Sequence, residues 1–405
     1  MSNHFILLLM LSSALIGCES TPHSRSRPHQ KDSGLESSLS SVAEIGAGDG
    51  VKSRQEFKFF QEIMGTMFTA QLVGFNQQVA TSAARAAFNE VRRIEHQMSS
   101  WRPQSEIGQL NAKAGLSEVK ISYETAWLLC KSQEFSSLTR GAFDITWATL
   151  KGLWDFKTHH IPARNEVRER LRWVGSDQLE LKLESAEGQK KSCQELFKLS
   201  KRGAPHPIWS RFIPSPPEGW SWKYRAKLKS VKTQIDLGGI AKGFAVDRAT
   251  EVFNRLGFKD HVFDGGGDMR VSGRSLSDAP WSIGIKHPRA EYNWGTLWIP
   301  TGWSVVTSGD YERFFIADHQ RYHHIIDLRS GSPARGSVAV TVIAESALMA
   351  DTLATAIFIL GPREGIALAD SLSGVEALCF TPTGEVTHSQ GAHIFSPELK
   401  SRWRP

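Results

Sequence analysis

A turn through paired glycines, within residues 235–243, is the feature that most constrains how this chain can fold. An apolar, strand-like run reaches Asp236, two glycines follow, and a helical pattern begins near Gly243. Glycine lets the backbone approach a ligand closely, and the free N–H groups at a helix start attract anionic oxygens. Lys242 adds a positive charge there. The stretch therefore indicates an anion-binding turn, and an ordinary strand-to-helix connection is the alternative.

A second motif pairs a carboxylate with a hydroxyl. Asp351 and Thr355 are four residues apart in an otherwise apolar helical stretch, so they fall on one helical face. These two groups suit a hard, oxygen-seeking cation such as Mg²⁺, completed by backbone carbonyls and ligand phosphates. The alternative is a buried aspartate that neighbouring N–H groups satisfy.

His324 is the candidate for proton transfer. Histidine has an unperturbed pKa of about 6.5, which suits proton transfer near neutral pH. Asp327 lies three residues further on, where it could orient the ring. A lone His-x-x-Asp pattern also occurs for purely structural reasons, so that role stays open.

Two further glycine-containing turns place carboxylates beside flexible backbone. Three consecutive glycines separate Asp264 from Asp268, and Gly141 precedes Asp144 by three residues. Glycine runs are tolerated where a chain passes close to another group, and a tight turn explains them equally well. The first turn is a candidate for close approach to a ligand, and the second is a candidate for the rim of a cleft.

Apolar residues follow helical and strand periods in different segments, and no fixed-period repeat is present. This mixture predicts the α+β class, with mixed sheets and flanking helices. Helices are predicted at residues 80–98, 123–139, 165–173, 243–256, 347–360 and 363–372, and strands at 65–73, 261–263, 281–285, 305–307, 338–344 and 377–380.

The N-terminus has the pattern of an export signal that ends in a lipidation site. The apolar run at residues 5–11 is shorter than the roughly 20 residues that span a bilayer as a helix. Leu-Ile-Gly-Cys at residues 15–18 resembles the bacterial lipobox, in which the Cys18 thiol is acylated. We expect a signal peptide at residues 1–17 and a lipid anchor with a flexible, serine-rich tether at 18–53. A differently cleaved signal with a buried Cys18 is the alternative.

Charge and cysteine content argue against several other classes of protein. The net charge of +6 over 405 residues is too modest to indicate nucleic-acid binding. Besides Cys18, only the widely spaced Cys130, Cys193 and Cys379 are present, so neither a disulfide framework nor a zinc site is predicted. Residues 185–232 are basic and proline-rich with little regular pattern. They indicate an insertion within the domain, with a linker between two domains as the alternative.

The order of the motifs along the chain points to a family. From the N-terminal side they lie at residues 64–66, 98–111, 141–156, 236–243, 266–268, 307–313, 324–327 and 350–355. In this order they resemble the FAD:protein FMN transferase family, the ApbE-type flavin transferases. The resemblance extends over about residues 64–380, nearly the whole folded part.

The resemblance implies an activity and a location. Members of this family are α+β proteins, often lipid-anchored or secreted in bacteria. They cleave FAD and join its FMN part through a phosphoester to a Thr or Ser hydroxyl of a target protein, and AMP leaves. The implied flavin transferase domain covers residues 54–405, with 185–232 as a basic insertion. The expected location is the bacterial cell envelope, lipid-anchored and facing the periplasm, with electron-transfer proteins of the Rnf, Nqr or reductase type as acceptors.

The resemblance also implies site residues. The Gly239 carbonyl, the Asp351 carboxylate and the Thr355 hydroxyl would hold Mg²⁺, which agrees with the helical-face argument. His324 is then the candidate general base for the acceptor hydroxyl. The residues that would contact FAD are Met64, Trp101, Ala142, Phe143, Asp144, Asp236, Lys242 and Ile325.

Two other functions are compatible with the same residues. With water in place of the acceptor hydroxyl, the chain would be a Mg²⁺-dependent FAD pyrophosphatase that releases FMN and AMP. A lipid-anchored flavin carrier without catalysis is disfavoured by the intact Asp351, Thr355 and His324. The chain departs from the family pattern at Leu328 and Ser330, where Asp-Pro-x-Thr-Gly is common, so we expect a looser turn beside His324.

Overall fold

An eight-stranded antiparallel sheet forms the centre of the protein. The computed structural model describes residues 53–185, 187–197 and 222–404, and those from Ser53 onward belong to one compact unit. The predicted signal peptide, Cys18 and the tether up to residue 52 lie outside the described residues. The strands follow one another across the sheet as β1 (Gln55–Ile63), β2 (Thr66–Gly74), β7 (His261–Gly265), β8 (Asp268–Ser272), β11 (Ser304–Gly309), β16 (Ala339–Ala344), β17 (Val375–Phe380) and β18 (Val386–His388).

Helices cover one face of this sheet. Those that pack on it are α1 (Gln77–Met98), α6 (Ala241–Arg255) and α7 (Ala347–Asp370). The other helices are α2 (Glu106–Ala112), α3 (Tyr123–Leu138), α4 (Arg164–Leu171) and α5 (Cys193–Phe197). α1 begins after Asn76, whose side-chain oxygen accepts hydrogen bonds from two free N–H groups of the first turn. Apolar residues of α1 recur with the helical period and are buried. α1, α6 and α7 pack side by side, which builds the main core between helices and sheet.

α7 is the central helix of this layer. The two helices predicted at 347–360 and 363–372 are joined at a kink, where Gly361 has φ of 81° and precedes Pro362. Of the helices that the structure describes, only α7 is long and apolar enough to cross a membrane by length and composition. It packs on β11, β16 and β17, and residues 347–354 are all buried. Its apolar character therefore follows from its place in the core.

The other face of the central sheet is covered by a hairpin, β9 (Trp281–Lys286) and β10 (Asn293–Ile299). A second core forms between this hairpin and the sheet, with Trp281, Trp294, Leu297, Ile299, Val305, Ile343, Phe380 and Trp403. Coverage of both faces explains why every residue of β16 is buried and why five of its six side chains are apolar.

A smaller sheet packs against α2 and α3. Its strands lie in the order β3 (Val119–Ile121), β6 (Trp222–Leu228), β4 (Leu179–Ser185) and β5 (Lys190–Lys191). β5, α5 and β6 fall within residues 185–232, so the prediction of little regular structure is wrong for the described part of that region. Tyr224 and Ala226 of β6 are buried while the intervening residues are basic, and those cations on the open face obscured the strand pattern.

A disulfide joins Cys130 to Cys193, whose Cα atoms are 5.6 Å apart. It ties α3 to the first residue of α5, next to the edge of the smaller sheet. The prediction that these cysteines form no disulfide is therefore wrong. Their separation of 63 residues says nothing about proximity in space, which only the packing of α3 against this region creates. Cys379 is free and buried.

Two short hairpins complete the fold. β12 (Phe314–Ala317) pairs with β13 (Gln320–His323), and β14 (Ile326–Asp327) pairs with β15 (Ser332–Pro333). His324 lies between these hairpins. Antiparallel sheets packed with helices in a single domain confirm the predicted α+β class.

Candidate active site

The glycine turn at residues 235–243 is held in place by Asp236. Its carboxylate Oδ1 accepts a hydrogen bond from Gly238 N at 2.7 Å, and its own N–H donates to the Ile145 carbonyl at 2.9 Å. The turn ends where α6 begins at Ala241, so the first N–H groups of a helix lie directly after the two glycines. The predicted glycine turn and helix start are confirmed here. The predicted strand end is wrong, because β6 ends at Leu228 and residues 233–237 form no strand.

Gly239 brings the turn close to α7. A Cβ atom added to Gly239 would lie 3.7 Å from Thr355 Oγ1 and 3.3 Å from the Phe143 ring. Two of the residues predicted to hold a metal, and one predicted to contact FAD, therefore adjoin one another.

Asp351 reaches the start of α6 from α7. It is 3% exposed, and its Oδ2 accepts a hydrogen bond from Gly243 N at 3.1 Å. The two helices approach closely here, because a Cβ atom on Gly243 would lie 2.2 Å from the Ala347 carbonyl oxygen. The close approach explains why glycine occupies this position, and it delivers the Asp351 carboxylate to the turn.

Lys242 is the cation of the site. Its Nζ lies 2.5 Å from Asp268 Oδ2 and 3.7 Å from Asp351 Oδ1. Burial alone lowers the pKa of Lys242, but the charges of Asp268 and Asp351 outweigh burial and raise that pKa above its ordinary value. Lys242 therefore carries a fixed positive charge at neutral pH.

Asp268 is a site residue that the sequence did not assign. Burial and the neighbouring charge of Asp351 raise its pKa well above the ordinary value, against the opposing effect of Lys242. Its sequence signals are its position directly after three glycines and its place in the motif at residues 266–268. One lysine thus faces two buried carboxylates that repel each other, and a divalent cation beside them would relieve this repulsion.

The donor set fits the predicted Mg²⁺. A carboxylate, a hydroxyl and a backbone carbonyl are hard oxygen ligands, which Mg²⁺ prefers, and this ion commonly completes its shell with water and substrate phosphates. Within the described ranges, no group of three or more His, Cys, Asp or Glu side chains is disposed to hold a metal. A cation here would therefore depend on Gly239, Thr355 and ligand oxygens in addition to Asp351. The metal assignment stays a prediction.

His324 presents a free imidazole nitrogen. Its backbone N–H donates to the Arg313 carbonyl at 3.1 Å, while its buried Nδ1 has no partner among the described residues. Burial, with smaller contributions from His323 and Arg313, lowers the pKa of His324 to about 4. The ring is therefore neutral at pH 7 and able to accept a proton.

Asp327 does not orient His324, so that expectation is wrong. Its carboxylate accepts hydrogen bonds from the N–H of Arg329 at 3.0 Å and from the Arg329 guanidinium at 2.9 Å. The Asp327 carbonyl also accepts from Gly331 N at 2.7 Å and Ser330 N at 3.1 Å. An aspartate followed by a turn satisfies its own backbone first, so the turn expected to be looser is closed by these bonds.

Ile325 is fixed between two neighbours. Its N–H donates to His323 Nδ1 at 3.3 Å, and its carbonyl accepts from Ala334 N at 3.0 Å. His323 Nε2 lies 2.8 Å from the Ala334 carbonyl oxygen, so this buried histidine has a structural role. The predicted contact of Ile325 with FAD remains a prediction, and it would use the second lone pair of the carbonyl.

Phe143 and Asp144 follow α3. Phe143 is buried beside Gly239. Asp144 caps the 3₁₀ helix Ile145–Leu150, because its Oδ1 accepts from Thr146 N at 2.9 Å and its Oδ2 accepts from Ser136 Oγ at 2.8 Å. The Asp144 side chain is thus occupied within the protein. Ala142 is buried in the same segment.

Met64 and Trp101 are connected through Glu95. Met64 lies in the turn between β1 and β2 with φ of 54°, and its N–H donates to Glu95 Oε1 at 3.1 Å. Arg102, next to Trp101, donates to the other oxygen of Glu95 at 2.9 Å. The Trp101 ring is 79% exposed, so it can offer a face to a ligand. Glu95 lies in the last turn of α1, so Met64 and Trp101 both adjoin the end of this helix.

These groups define a class of site before any family is considered. Oxygen donors near a helix start, an ion-paired lysine and an unpartnered imidazole suit metal-assisted chemistry on a phosphate-containing ligand. The particular family follows from the whole chain. The model of the ApbE family matches residues 64–379, and the chain belongs to this family. The family predicted from the order of the motifs is confirmed.

Curated proteins of the same family cover most of the chain. The chain is 26% identical over 344 residues to the FAD:protein FMN transferase of Vibrio cholerae, which covers 82% of this chain and 91% of that protein. It is 28% identical over 360 residues to the FAD:protein FMN transferase of Treponema pallidum, covering 86% and 90% of the two chains.

Solved structures share the fold. The ApbE protein of Thermotoga maritima has a TM-score of 0.68 and 28% identity, and the match covers 84% of this chain and 99% of that chain. The apo form of the Pseudomonas stutzeri flavinyl transferase ApbE has a TM-score of 0.66 and 25% identity, covering 87% and 100%.

Proposed function

We propose that this chain is an FAD:protein FMN transferase, which cleaves FAD in a Mg²⁺-dependent reaction and attaches FMN to a Thr or Ser hydroxyl of an acceptor protein. The names of its relatives support the activity. The observation that carries the proposal is the meeting of Gly239, Thr355 and Asp351 with Lys242 at the start of α6. This arrangement offers oxygen ligands to a cation and positive charge to a pyrophosphate in one place.

The chain binds and stabilises the pyrophosphate of FAD with groups that are already fixed. The ammonium of Lys242 lies at the start of α6, directly after the glycine turn, where anionic oxygens are favoured. Mg²⁺, when bound, supplies further positive charge to the phosphate oxygens. Because these groups are held by Asp236, Asp268 and the helix crossing, little reorganisation is needed as charge develops.

His324 takes the proton of the acceptor hydroxyl. Its neutral ring and free Nδ1 meet the two requirements of a general base, namely an available lone pair and the correct protonation state. The hydroxyl oxygen forms a bond to the phosphorus of the FMN half of FAD. The bond from that phosphorus to the bridging oxygen breaks, and AMP leaves with this oxygen. The products are the acceptor phosphoester of FMN and AMP.

We also propose that the protein is exported and held in the cell envelope by a lipid on Cys18, facing the periplasm. The Cys130–Cys193 disulfide supports export, because structural disulfides persist in oxidising compartments. The acceptor is then an exported or membrane electron-transfer protein. Fractionation of cells that express the chain or its Cys18→Ser variant tests the anchor, and we expect only the unaltered chain in the membrane fraction. Membrane retention of the variant would contradict a Cys18 anchor.

The activity is tested with the purified full chain, FAD, Mg²⁺ and a recombinant acceptor domain of the Nqr or Rnf type. Flavin fluorescence of the acceptor in a denaturing gel reports transfer, and chromatography reports FMN and AMP. We expect a fluorescent acceptor with the unaltered chain and none with Asp351→Ala or in the presence of a chelator. Release of free FMN and AMP without labelling of the acceptor would instead support the FAD pyrophosphatase.

A further inference from the structure

Lys151 lies beside the candidate active site, and it is neither a predicted metal ligand, nor a predicted FAD contact, nor the predicted general base. Its Nζ is 2.6 Å from Asp236 Oδ2. The same Nζ lies 4.5 Å from the centre of the Trp101 ring and 5.0 Å from that of the Trp147 ring. One ammonium therefore pairs with a carboxylate and contacts two indoles, which is a geometry of favourable cation–π interactions.

The first consequence concerns the charge of Asp236. This residue is 7% exposed and sits in the turn that leads to the start of α6. Its carboxylate receives hydrogen bonds from Lys151, from Gly238 N and from the Ser100 hydroxyl. Of these donors only Lys151 carries a positive charge. Without it, a buried negative charge would stand beside the place where a pyrophosphate binds, and like charges repel strongly where water is scarce.

The second consequence concerns Trp101. An indole that is 79% exposed has many rotamers open to it unless a neighbour holds it. Lys151 is such a neighbour of the ring, and the Ser99 hydroxyl fixes the backbone beneath it by accepting a hydrogen bond from Trp101 N at 3.2 Å. A ring held in one orientation offers a preformed surface on which a planar ring of FAD can stack at lower entropic cost.

We propose that Lys151 is a positioning residue for FAD, which neutralises Asp236 and holds the exposed ring of Trp101 against the site. The inference rests on the proposed function, since it concerns the substrate of that reaction. Lys151 acts before the chemical step, through residues that contact FAD. Its loss therefore weakens FAD binding and raises KM for FAD, while kcat at saturating FAD changes little.

The test compares Lys151→Met with Lys151→Arg and with a matched control. Methionine keeps the length of the side chain without its charge, and arginine keeps the charge, the ion pair and the ring contact. Lys232→Met is the control, because Lys232 also pairs with a carboxylate, Glu169 at 2.9 Å, and lies 5.6 Å from the Trp173 ring. Asp236→Asn is made alone and together with Lys151→Met. Each purified full chain is measured by quenching of tryptophan fluorescence during FAD titration and by steady-state kinetics.

We expect the dissociation constant and KM for FAD to rise roughly tenfold or more in Lys151→Met, as loss of a charge-assisted hydrogen bond implies. Lys151→Arg should stay within about threefold of the unaltered chain, and Lys232→Met should match it. Asp236→Asn should weaken the effect of Lys151→Met, because the charge that Lys151 neutralises is then gone. The near-ultraviolet circular dichroism of the indoles should change in Lys151→Met.

Three results would overturn the inference. Unchanged FAD affinity in a folded Lys151→Met variant would remove it and leave the proposed function intact. A fall in kcat with unchanged KM would assign Lys151 to the chemical step instead of to positioning. If the unaltered chain binds no FAD, both the proposed function and the inference are wrong.

Discussion

Removal of the Cys130–Cys193 disulfide should destabilise the protein by an amount that the structure allows to be worked out. The cross-link closes a loop of 63 residues. In the chain-entropy model, a loop of this length removes about 14 cal/mol/K from the unfolded chain, or about 4 kcal/mol at 25 °C. The folded unit from Ser53 has about 350 residues. With an unfolding entropy of about 2.1 cal/mol/K per residue, the loss corresponds to a decrease in Tm of about 6 °C.

The assay is unfolding in urea and by heat, followed by tryptophan fluorescence. The Cys130→Ser/Cys193→Ser double variant is compared with the unaltered chain, each with and without dithiothreitol. Reductant should lower the stability of the unaltered chain towards that of the variant, and it should leave the variant unchanged. This second comparison is the control for effects of the serine side chains and of the reductant itself.

Two outcomes would refute the reasoning. If the variant were as stable as the unaltered chain, the cross-link would not constrain the unfolded state as calculated. If dithiothreitol lowered the stability of the double variant as much as that of the unaltered chain, the reductant would be acting elsewhere in the molecule. Neither outcome would bear on the candidate active site, which lies on α6 and α7.

Three further predictions concern buried groups. His324→Gln should lower the rate of transfer to the acceptor roughly 10²–10⁴-fold and leave the FAD affinity unchanged. In the unaltered chain, kcat/KM should fall only as the pH approaches about 4, where His324 becomes protonated. A fall centred near pH 6.5 would contradict the lowered pKa of His324. Burial lowers the pKa of His261 to about 4. The free energy of unfolding should therefore decrease by about 3 kcal/mol as the pH falls from 6.5 towards 4, because the unfolded chain takes up the proton first. Urea unfolding should show a smaller decrease for His261→Phe, and an equal decrease would contradict this assignment. Gly243→Ala places a Cβ atom 2.2 Å from the Ala347 carbonyl oxygen, and it should lower the free energy of unfolding by about 1–3 kcal/mol, measured in urea; an unchanged value would show that the helices can move apart.

Local patterns in the sequence predicted the parts of the site that depend on local geometry. Asp351 and Thr355 share a face of α7 because a helical repeat places residues four apart side by side. The glycine turn leads into α6 because Gly238 N reaches back to the Asp236 carboxylate two residues earlier. Such relations need only the backbone period and a few neighbours, so a single sequence carries them.

Contacts between distant segments were not predictable in this way. Asp268 reaches Lys242 across 26 residues, and Lys151 reaches Asp236 across 85 residues. Both pairs depend on how sheet and helices pack, about which the spacing in the chain says nothing. The Cys130–Cys193 pair was missed for the same reason.

For some polar residues, hydrogen bonds to nearby groups replaced the contacts that the sequence predicted. Asp327 was expected to orient His324, but an aspartate before a turn finds closer partners in the backbone and in Arg329. The family resemblance places Asp144 at FAD, but its side chain caps a 3₁₀ helix by accepting a hydrogen bond from Thr146 N. In both cases the residue type was informative, and its partner could be found only in the structure.

The central claim is that FMN moves from FAD to a hydroxyl of another protein. The most direct measurement is the intact mass of the acceptor domain after incubation with the full chain, FAD and Mg²⁺, together with the AMP released. We predict a gain of one FMN per acceptor, with loss of water, and one AMP for each acceptor labelled. An acceptor whose Thr is replaced by Ala should gain nothing. FAD cleavage that leaves the mass of the acceptor unchanged would contradict the transferase account.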